Sequence, residues 1–189
     1  MCLATPLKQP DTGGGGSGPI PRPRPDRRHW LLFGSLAAAV VVADQLTKAW
    51  IVSNIGPGQA LRLIGDELRL VVTHNTGGVF GLFRDQAPVF ALFSIGVMGL
   101  IVAFHGRSPA SRYLSITLGL LLGGAIGNLI DRVRFGHVID FVDAGIGSLR
   151  FYTFNVADMA VSASVLLLIA LSLRSSLAGA GSGEAGDGR

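Results

Sequence analysis

Cysteine and charge are both scarce in this 189-residue chain. The single cysteine, Cys2, excludes a disulfide framework and a cysteine-based zinc site. Charged residues make up 15% of the sequence, against about 25% in soluble domains. At the same time 49% of the residues are hydrophobic and mean hydropathy is +0.49. That balance excludes an ordinary water-soluble globule and leaves a small integral membrane protein. The 27 glycines follow no G-X-Y period, so a collagen-like rod is excluded too. At roughly 150 residues per domain the length suits one domain.

Residues 1–29 read as a disordered tail, because Asp11–Pro25 joins a Gly/Ser linker to alternating Pro and Arg and cannot bury a core. Residues 174–189, rich in Gly, Ala and Ser, read the same way. Between the tails lie four apolar stretches, Trp30–Val52, Ala87–Phe104, Tyr113–Ile130 and Phe154–Leu173. Each is close to the ~20 residues that cross ~30 Å of hydrocarbon as a helix. The expected fold is therefore an all-α membrane protein, one domain over residues 30–173 with four transmembrane helices and a small extracytoplasmic β element. The small residues from Ala37 to Ala43 resemble a signal-peptide cleavage region. The long tail before them, and the apolar face continuing through Leu46, Ala49, Trp50 and Ile51, favour a span. Nine Lys and Arg, in compact clusters, flank the side holding both termini, against seven dispersed on the other, so both termini are expected in the cytoplasm. On the outer side, Leu61–Leu63 and Leu68–Thr73 flank a Gly65-Asp66 turn signal and predict a hairpin. The loop Arg132–Tyr152, mixing apolar and charged residues, is expected at the membrane interface.

Carboxylates inside membrane spans are costly, by about 2.5–3.5 kcal/mol on insertion scales, so each demands a reason. Three occur: Asp44 in the first stretch, Asp131 at the end of the third and Asp158 early in the fourth. With the termini inside, all three fall at similar depth toward the outer face. Asn128-Leu-Ile-Asp131 and Asn155-Val-Ala-Asp158 each set an amide and a carboxylate at i and i+3, on one helix face. Gly123-x-x-x-Gly127 permits close helix approach and is expected to bring the third and fourth spans together. Two carboxylates brought close cannot both ionise cheaply; sharing one proton, they suit activation of water against a peptide carbonyl. Such a pair titrates as a unit, so which of Asp131 and Asp158 is the base stays open.

Plainer structural roles compete with these. Asp44 and Lys48, at i and i+4, form an interfacial ion pair or border the site. Asp131 pairs with Arg132 at a helix end, and Asn155 caps the fourth helix. His74, His105 and His137 are dispersed and read as surface or interfacial groups, while Asp140 and Asp143 face water or brace the loop. A proton-coupled transporter would favour midplane acids in Pro-broken helices, and no span has a mid-helix proline. A non-enzymatic scaffold would leave the matched Asn/Asp pairs without a purpose.

The blocks DQLTK (Asp44–Lys48), NTGGVFGLF (Asn75–Phe83), GGAIGNLIDRVRFGHVIDF (Gly123–Phe141) and FNVAD (Phe154–Asp158) occur in one order across residues 30–173. Together they resemble bacterial lipoprotein signal peptidase, also called type II signal peptidase. Gly78-Val79 departs from that family's usual pair of small residues. The resemblance implies a membrane aspartic endopeptidase that cuts prolipoproteins just before a diacylglyceryl-modified cysteine. It implies Asp131 and Asp158 as the catalytic pair, with Asp44, Asn75, Asn128, Asn155 and Ala157 supporting the site or touching substrate; Lys48 and Arg132 are expected to bind substrate or support the site beside them. No metal or organic cofactor is implied, and globomycin-type cyclic peptides would inhibit. The implied partners are lipobox signal peptides and membrane lipids, with no nucleic acid. A monomer is expected, in the bacterial cytoplasmic membrane, with its active site toward the extracytoplasmic face.

Overall fold

The computed structural model describes residues 23–56, 58–77 and 87–183. The Pro/Arg/Gly tail before residue 23, positions 184–189 and the part of the glycine-rich block from Gly78 to Phe83 lie outside the described residues. In chain order the elements are α1 (Arg27–Asn54), β1 (Leu61–Ile64), β2 (Leu68–Asn75), α2 (Ala87–Arg107), α3 (Arg112–Phe135), β3 (Val138–Ile146), β4 (Leu149–Arg150) and α4 (Val156–Gly183). Four helices, α1 to α4, are long and apolar enough to cross a membrane. Large apolar side chains such as Leu92, Phe93, Leu100 and Leu166 stand exposed on them, the arrangement of a bundle whose outer solvent is lipid.

Two boundaries differ from the expectation. Asp26 accepts from the backbone N–H of Arg28 and His29, so a side-chain cap starts α1 at Arg27, inside the expected tail. The segment Ser175–Gly183, expected to be disordered from its small residues, continues α4 as helix.

Helix α3 is the centre of the bundle because its glycines let neighbours approach. A Cβ on Gly123 would lie 2.7 Å from the Ala37 carbonyl oxygen, and one on Gly119 2.8 Å from that of Phe33. Gly123 therefore faces α1, not α4 as its spacing with Gly127 had suggested; Gly124 is the one set against Ala157 and Val161 of α4. Phe33, Ala37, Ile101, Leu118 and Leu122 form the core between α1, α2 and α3. His105 belongs here and not to a surface. It is buried, its ring stacked 4.4 Å from that of Phe33, and its Nε2 lies 3.0 Å from the Ser115 hydroxyl.

The strands make one antiparallel sheet in the order β1-β2-β3-β4, with Gly65 (φ +47°) in the β1–β2 turn. The stretch expected to be an interfacial loop is the strand β3. Gly136, in the left-handed conformation at φ 74°, ends α3 and turns the chain directly into it. Phe141 packs with Ile51 of α1 and with Ile55, which caps that helix, and this moors the sheet to the same end of the bundle as Asp44, Asp131 and Asp158. In register, Thr73 faces Asp140 and Asn75 faces Val138. Asp143 braces the sheet, bonded by Arg69 Nε and Arg150 Nε at 3.0 Å each. Its partial burial works the other way, but the hydrogen bonds and charges of Arg150 and Arg69 hold its carboxyl below the usual range.

Candidate active site

The acids at this end of the bundle fall into two groups. In the first, Lys48 Nζ lies 2.8 Å from Asp44 Oδ2 and 2.7 Å from Asp131 Oδ2, all three side chains being buried. Gln45 Nε2 donates to Asp131 Oδ1 at 3.0 Å and to Asp44 Oδ2 at 3.2 Å. The remaining acceptor positions meet backbone: Asp44 Oδ1 takes the N–H of Ala157 at 3.0 Å, and Asp131 Oδ2 that of Ile139 at 3.1 Å. Asp131 is thus paired with Lys48 across the bundle, and not with its neighbour Arg132. The Arg132 guanidinium instead donates to the carbonyls of Asn128 (3.2 Å) and Gly77 (3.4 Å) and lies over the Phe90 ring. It remains within electrostatic reach of Asp158, Asp140 and Asp131.

The second group is Asp140 and Asp158. Asp158 Oδ1 accepts from Asn128 Nδ2 at 2.8 Å. Asn155 and Asp158 bond reciprocally: Asp158 N–H donates to Asn155 Oδ1 at 2.9 Å, and Asn155 N–H to Asp158 Oδ2 at 3.2 Å. This is a capping box at the start of α4, so the capping role expected of Asn155 and a place in the site coexist. The Asn155 side-chain amide donates to Asp140 Oδ1 at 2.7 Å and to Asn128 Oδ1 at 3.1 Å. Asp140 Oδ2 accepts from Asn75 Nδ2 at 3.1 Å. An unbroken chain of side chains, Asp140–Asn155–Asn128–Asp158, therefore joins the two carboxylates. Neither has an ion-pair partner among the described residues, although Asp140 is 1% exposed.

A buried carboxylate without a cation must resist ionisation. Burial, and then the charge of Asp158, push the Asp140 carboxyl up to about 7, against the hydrogen bonds of Asn75 and Asn155 and the charge of Lys48. Two such acids coupled through charge share a proton and offer one anionic and one neutral oxygen to a reactant.

Every residue expected at the site that lies on a described element is at this end of the molecule. Asp44, Lys48 and Asp131 gather in one group, Asn75, Asn128, Asn155 and Asp158 in the other, and the two are linked by the Ala157 N–H on Asp44 and by Lys48 Nζ, which donates to Asn128 Oδ1 at 3.3 Å. Two participants were not anticipated. Gln45 lay inside the quoted DQLTK block. Asp140, expected to face water or brace the loop, is buried. The signal for it was the apolar setting Val138-Ile139-Asp140-Phe141: an isolated acid in a strand-forming run, which needs partners if that strand is covered. His74 and His137 pack ring to ring at 4.3 Å beside this strand pair. Among the described residues no three His, Cys, Asp or Glu are grouped to hold a metal ion.

Comparison with known proteins agrees on one family. A family model described as Signal peptidase (SPase) II matches residues 36–174. The chain is 42% identical over 134 residues to a lipoprotein signal peptidase of Moorella thermoacetica, covering 70% of this chain and 87% of that protein. It is 42% identical over 151 residues to that of Caulobacter vibrioides, covering 76% and 86%. A solved structure described as a bacterial membrane enzyme determined by the in meso method at 2.3 Å resolution superposes with a TM-score of 0.74 at 28% identity, over 83% of this chain and 94% of the other. A second, at 1.9 Å, gives a TM-score of 0.68 at 31% identity, over 74% and 90%.

Proposed function

The chain belongs to the signal peptidase II family, and from the geometry of its buried acids we propose that Asp140 and Asp158 are those with which it cleaves prolipoproteins. It is a multi-pass membrane protein and an aspartic endopeptidase that removes signal peptides. The observation that carries the choice of acids is their difference in neutralisation. Asp131 shares the Lys48 ammonium with Asp44 and takes further hydrogen bonds from Gln45 and the Ile139 N–H. Asp140 is buried, without a cation, and coupled to the charge of Asp158. Asp140 thus takes the place expected for Asp131, which becomes a supporting group.

In this reading the pair holds one proton. The anionic carboxylate takes a proton from a water as that water attacks the scissile carbonyl, and the neutral acid donates a hydrogen bond to the developing oxyanion. The gem-diol collapses, the C–N bond breaks, and the leaving nitrogen takes a proton from the pair. Asn128 and Asn155 hold the two carboxyl groups, and Asn75 fixes Asp140 from the adjacent strand. A substrate bearing a diacylglyceryl cysteine would enter laterally, its acyl chains lying along the exposed apolar faces of the spans. One chain supplies both acids, so a monomer suffices. The clustered Lys and Arg support termini in the cytoplasm and a site at the outer face of the cytoplasmic membrane.

The test is turnover of a diacylated lipobox peptide by the purified full-length enzyme. Asp140→Asn and Asp158→Asn should each lower kcat by at least about 10³-fold, the scale of lost general acid–base chemistry, since each acid serves in more than one step. Asp131→Asn should retain measurable cleavage. Turnover by Asp140→Asn with none by Asp131→Asn would reverse the assignment.

A further inference from the structure

The Asp44–Lys48–Asp131 cluster moves no proton in the reaction above, yet its three charges are almost wholly buried. Buried ion pairs contribute little net stability over apolar packing, so their use calls for another reason. Their hydrogen bonds supply one. Asp44 holds the backbone N–H of Ala157, the residue before Asp158. Asp131 holds the backbone N–H of Ile139, the residue before Asp140. Lys48 joins the two carboxylates and also donates to Asn128 Oδ1 at 3.3 Å, and Gln45, on the same helix, ties the carboxylates a second time.

We propose that Lys48 is a positioning residue which, through Asp44 and Asp131, sets the separation of Asp140 and Asp158 by anchoring the backbone beside each acid to one turn of α1. The inference rests on Asp140 and Asp158 being the reacting pair. These acids come from different kinds of element, a strand and a helix start, which meet where the Phe141 and Val142 N–H groups share the Phe154 carbonyl and the Asn155 amide reaches Asp140. α1 supplies a common reference: Asp44 and Lys48 are one helical turn apart, and each of the two bonded amides is a single peptide step from an acid of the pair. Misplacement of reacting groups by about 1 Å costs on the order of 10²-fold in rate, so such an anchor acts on kcat.

The same cluster biases the charge of the pair. Lys48 is in electrostatic reach of Asp140 and favours its ionised form. The charged groups around the pair are Asp44 and Lys48 from α1 and Asp131 and Arg132 from α3, with His137 near Asp131. β2 offers the neutral Asn75 at this position.

The experiment measures kcat, KM and the pH profile of the full-length enzyme with a diacylated lipobox peptide, for Asp44→Asn, Asp131→Asn and Lys48→Met. Each amide variant leaves Lys48 with one acid and removes one negative charge near the pair. Each should lower kcat about tenfold, leave KM within about twofold, and move the pH profile to lower pH by roughly one unit. A displacement of that order follows from removing one negative charge near the pair at an effective dielectric of about 20. Lys48→Met should lower kcat about 10²-fold, again with KM retained. A cluster that only stabilises the fold would lower the amount of folded enzyme without moving the profile. Wild-type kcat in the amide variants, or profiles superimposed on wild type, overturns the proposal, and either amide variant alone decides if another fails to accumulate. Asp140→Asn, measured alongside, separates the two levels. If it still turns over, the choice of acids falls; if it is inactive while the cluster variants are normal, the positioning role alone falls.

Discussion

Asp140 makes stability depend on pH in a direction opposite to that of most carboxylates. Its ordinary pKa of 3.8 is raised to about 7 in the folded protein, first by burial and then by the charge of Asp158. Below pH 3.8 the group is protonated in folded and unfolded chains alike, and its neutral form fits the buried site without penalty. Between 3.8 and about 7 the unfolded chain releases the proton and the folded one keeps it, so folding stability falls as pH rises. At 1.36 kcal/mol per pH unit the full interval corresponds to roughly 4 kcal/mol, reached once the pH passes the folded value. The perturbation is Asp140→Asn, which cannot ionise. The assay is denaturant or thermal unfolding in detergent micelles from pH 4 to pH 8, comparing the two proteins. Their stability difference should change by about 4 kcal/mol across that range in favour of the variant at high pH, offset by a constant of about 1 kcal/mol for the mismatched bond to Asn75 or Asn155. Parallel curves for the two proteins would show that Asp140 ionises normally in the fold, and would remove the basis for its sharing a proton with Asp158.

Two further outcomes follow from the architecture. Asp143 has the opposite sign: its pKa is held below the usual range, partial burial being outweighed by Arg150 and Arg69, so its contribution is present above pH 3.8 and lost as pH falls through the lower folded value. Asp143→Asn should therefore lower the unfolding midpoint at pH 7 while converging with wild type in strong acid, and a constant difference across that range would reject the reasoning. Gly123→Val should destabilise by about 2–3 kcal/mol, because its Cβ alone would stand 2.7 Å from the Ala37 carbonyl of α1. Unfolding in micelles measures this, and an unchanged midpoint would mean that α1 and α3 do not pack through this glycine.

The bundle was legible from composition because a membrane span is written in consecutive residues: four apolar stretches of suitable length map onto α1 to α4. The β1–β2 hairpin was legible for the same reason, its turn signal lying between two strand-like runs. The site was legible in its residue types but not in its pairing. Asn128 and Asp131 were placed together because i and i+3 share a helix face. On a helix of 3.6 residues per turn, however, positions three apart still differ by about 60° around the axis. That angle aims Asn128 at Asp158 on α4 and Asp131 at Lys48 on α1. A tolerance that is harmless for predicting amphipathicity decides which carboxylate meets a cation. Lys48, in turn, was read with Asp44 because they are one turn apart, and nothing local to α1 shows that a second acid arrives from α3. Asp140 was hidden by its element: in a loop an acid beside Val138, Ile139 and Phe141 is a solvated interruption, whereas in β3, covered by α1 and paired to β2, it is a buried group that must find Asn75 and Asn155. The difference between the two readings is one turn of chain at Gly136, which closes α3 early enough for the strand to pass back over the ends of α1 and α4. In the proposed reading, neutralisation by a partner distant in sequence separates a supporting acid from a reacting one, and it depends on long-range packing that no local motif encodes.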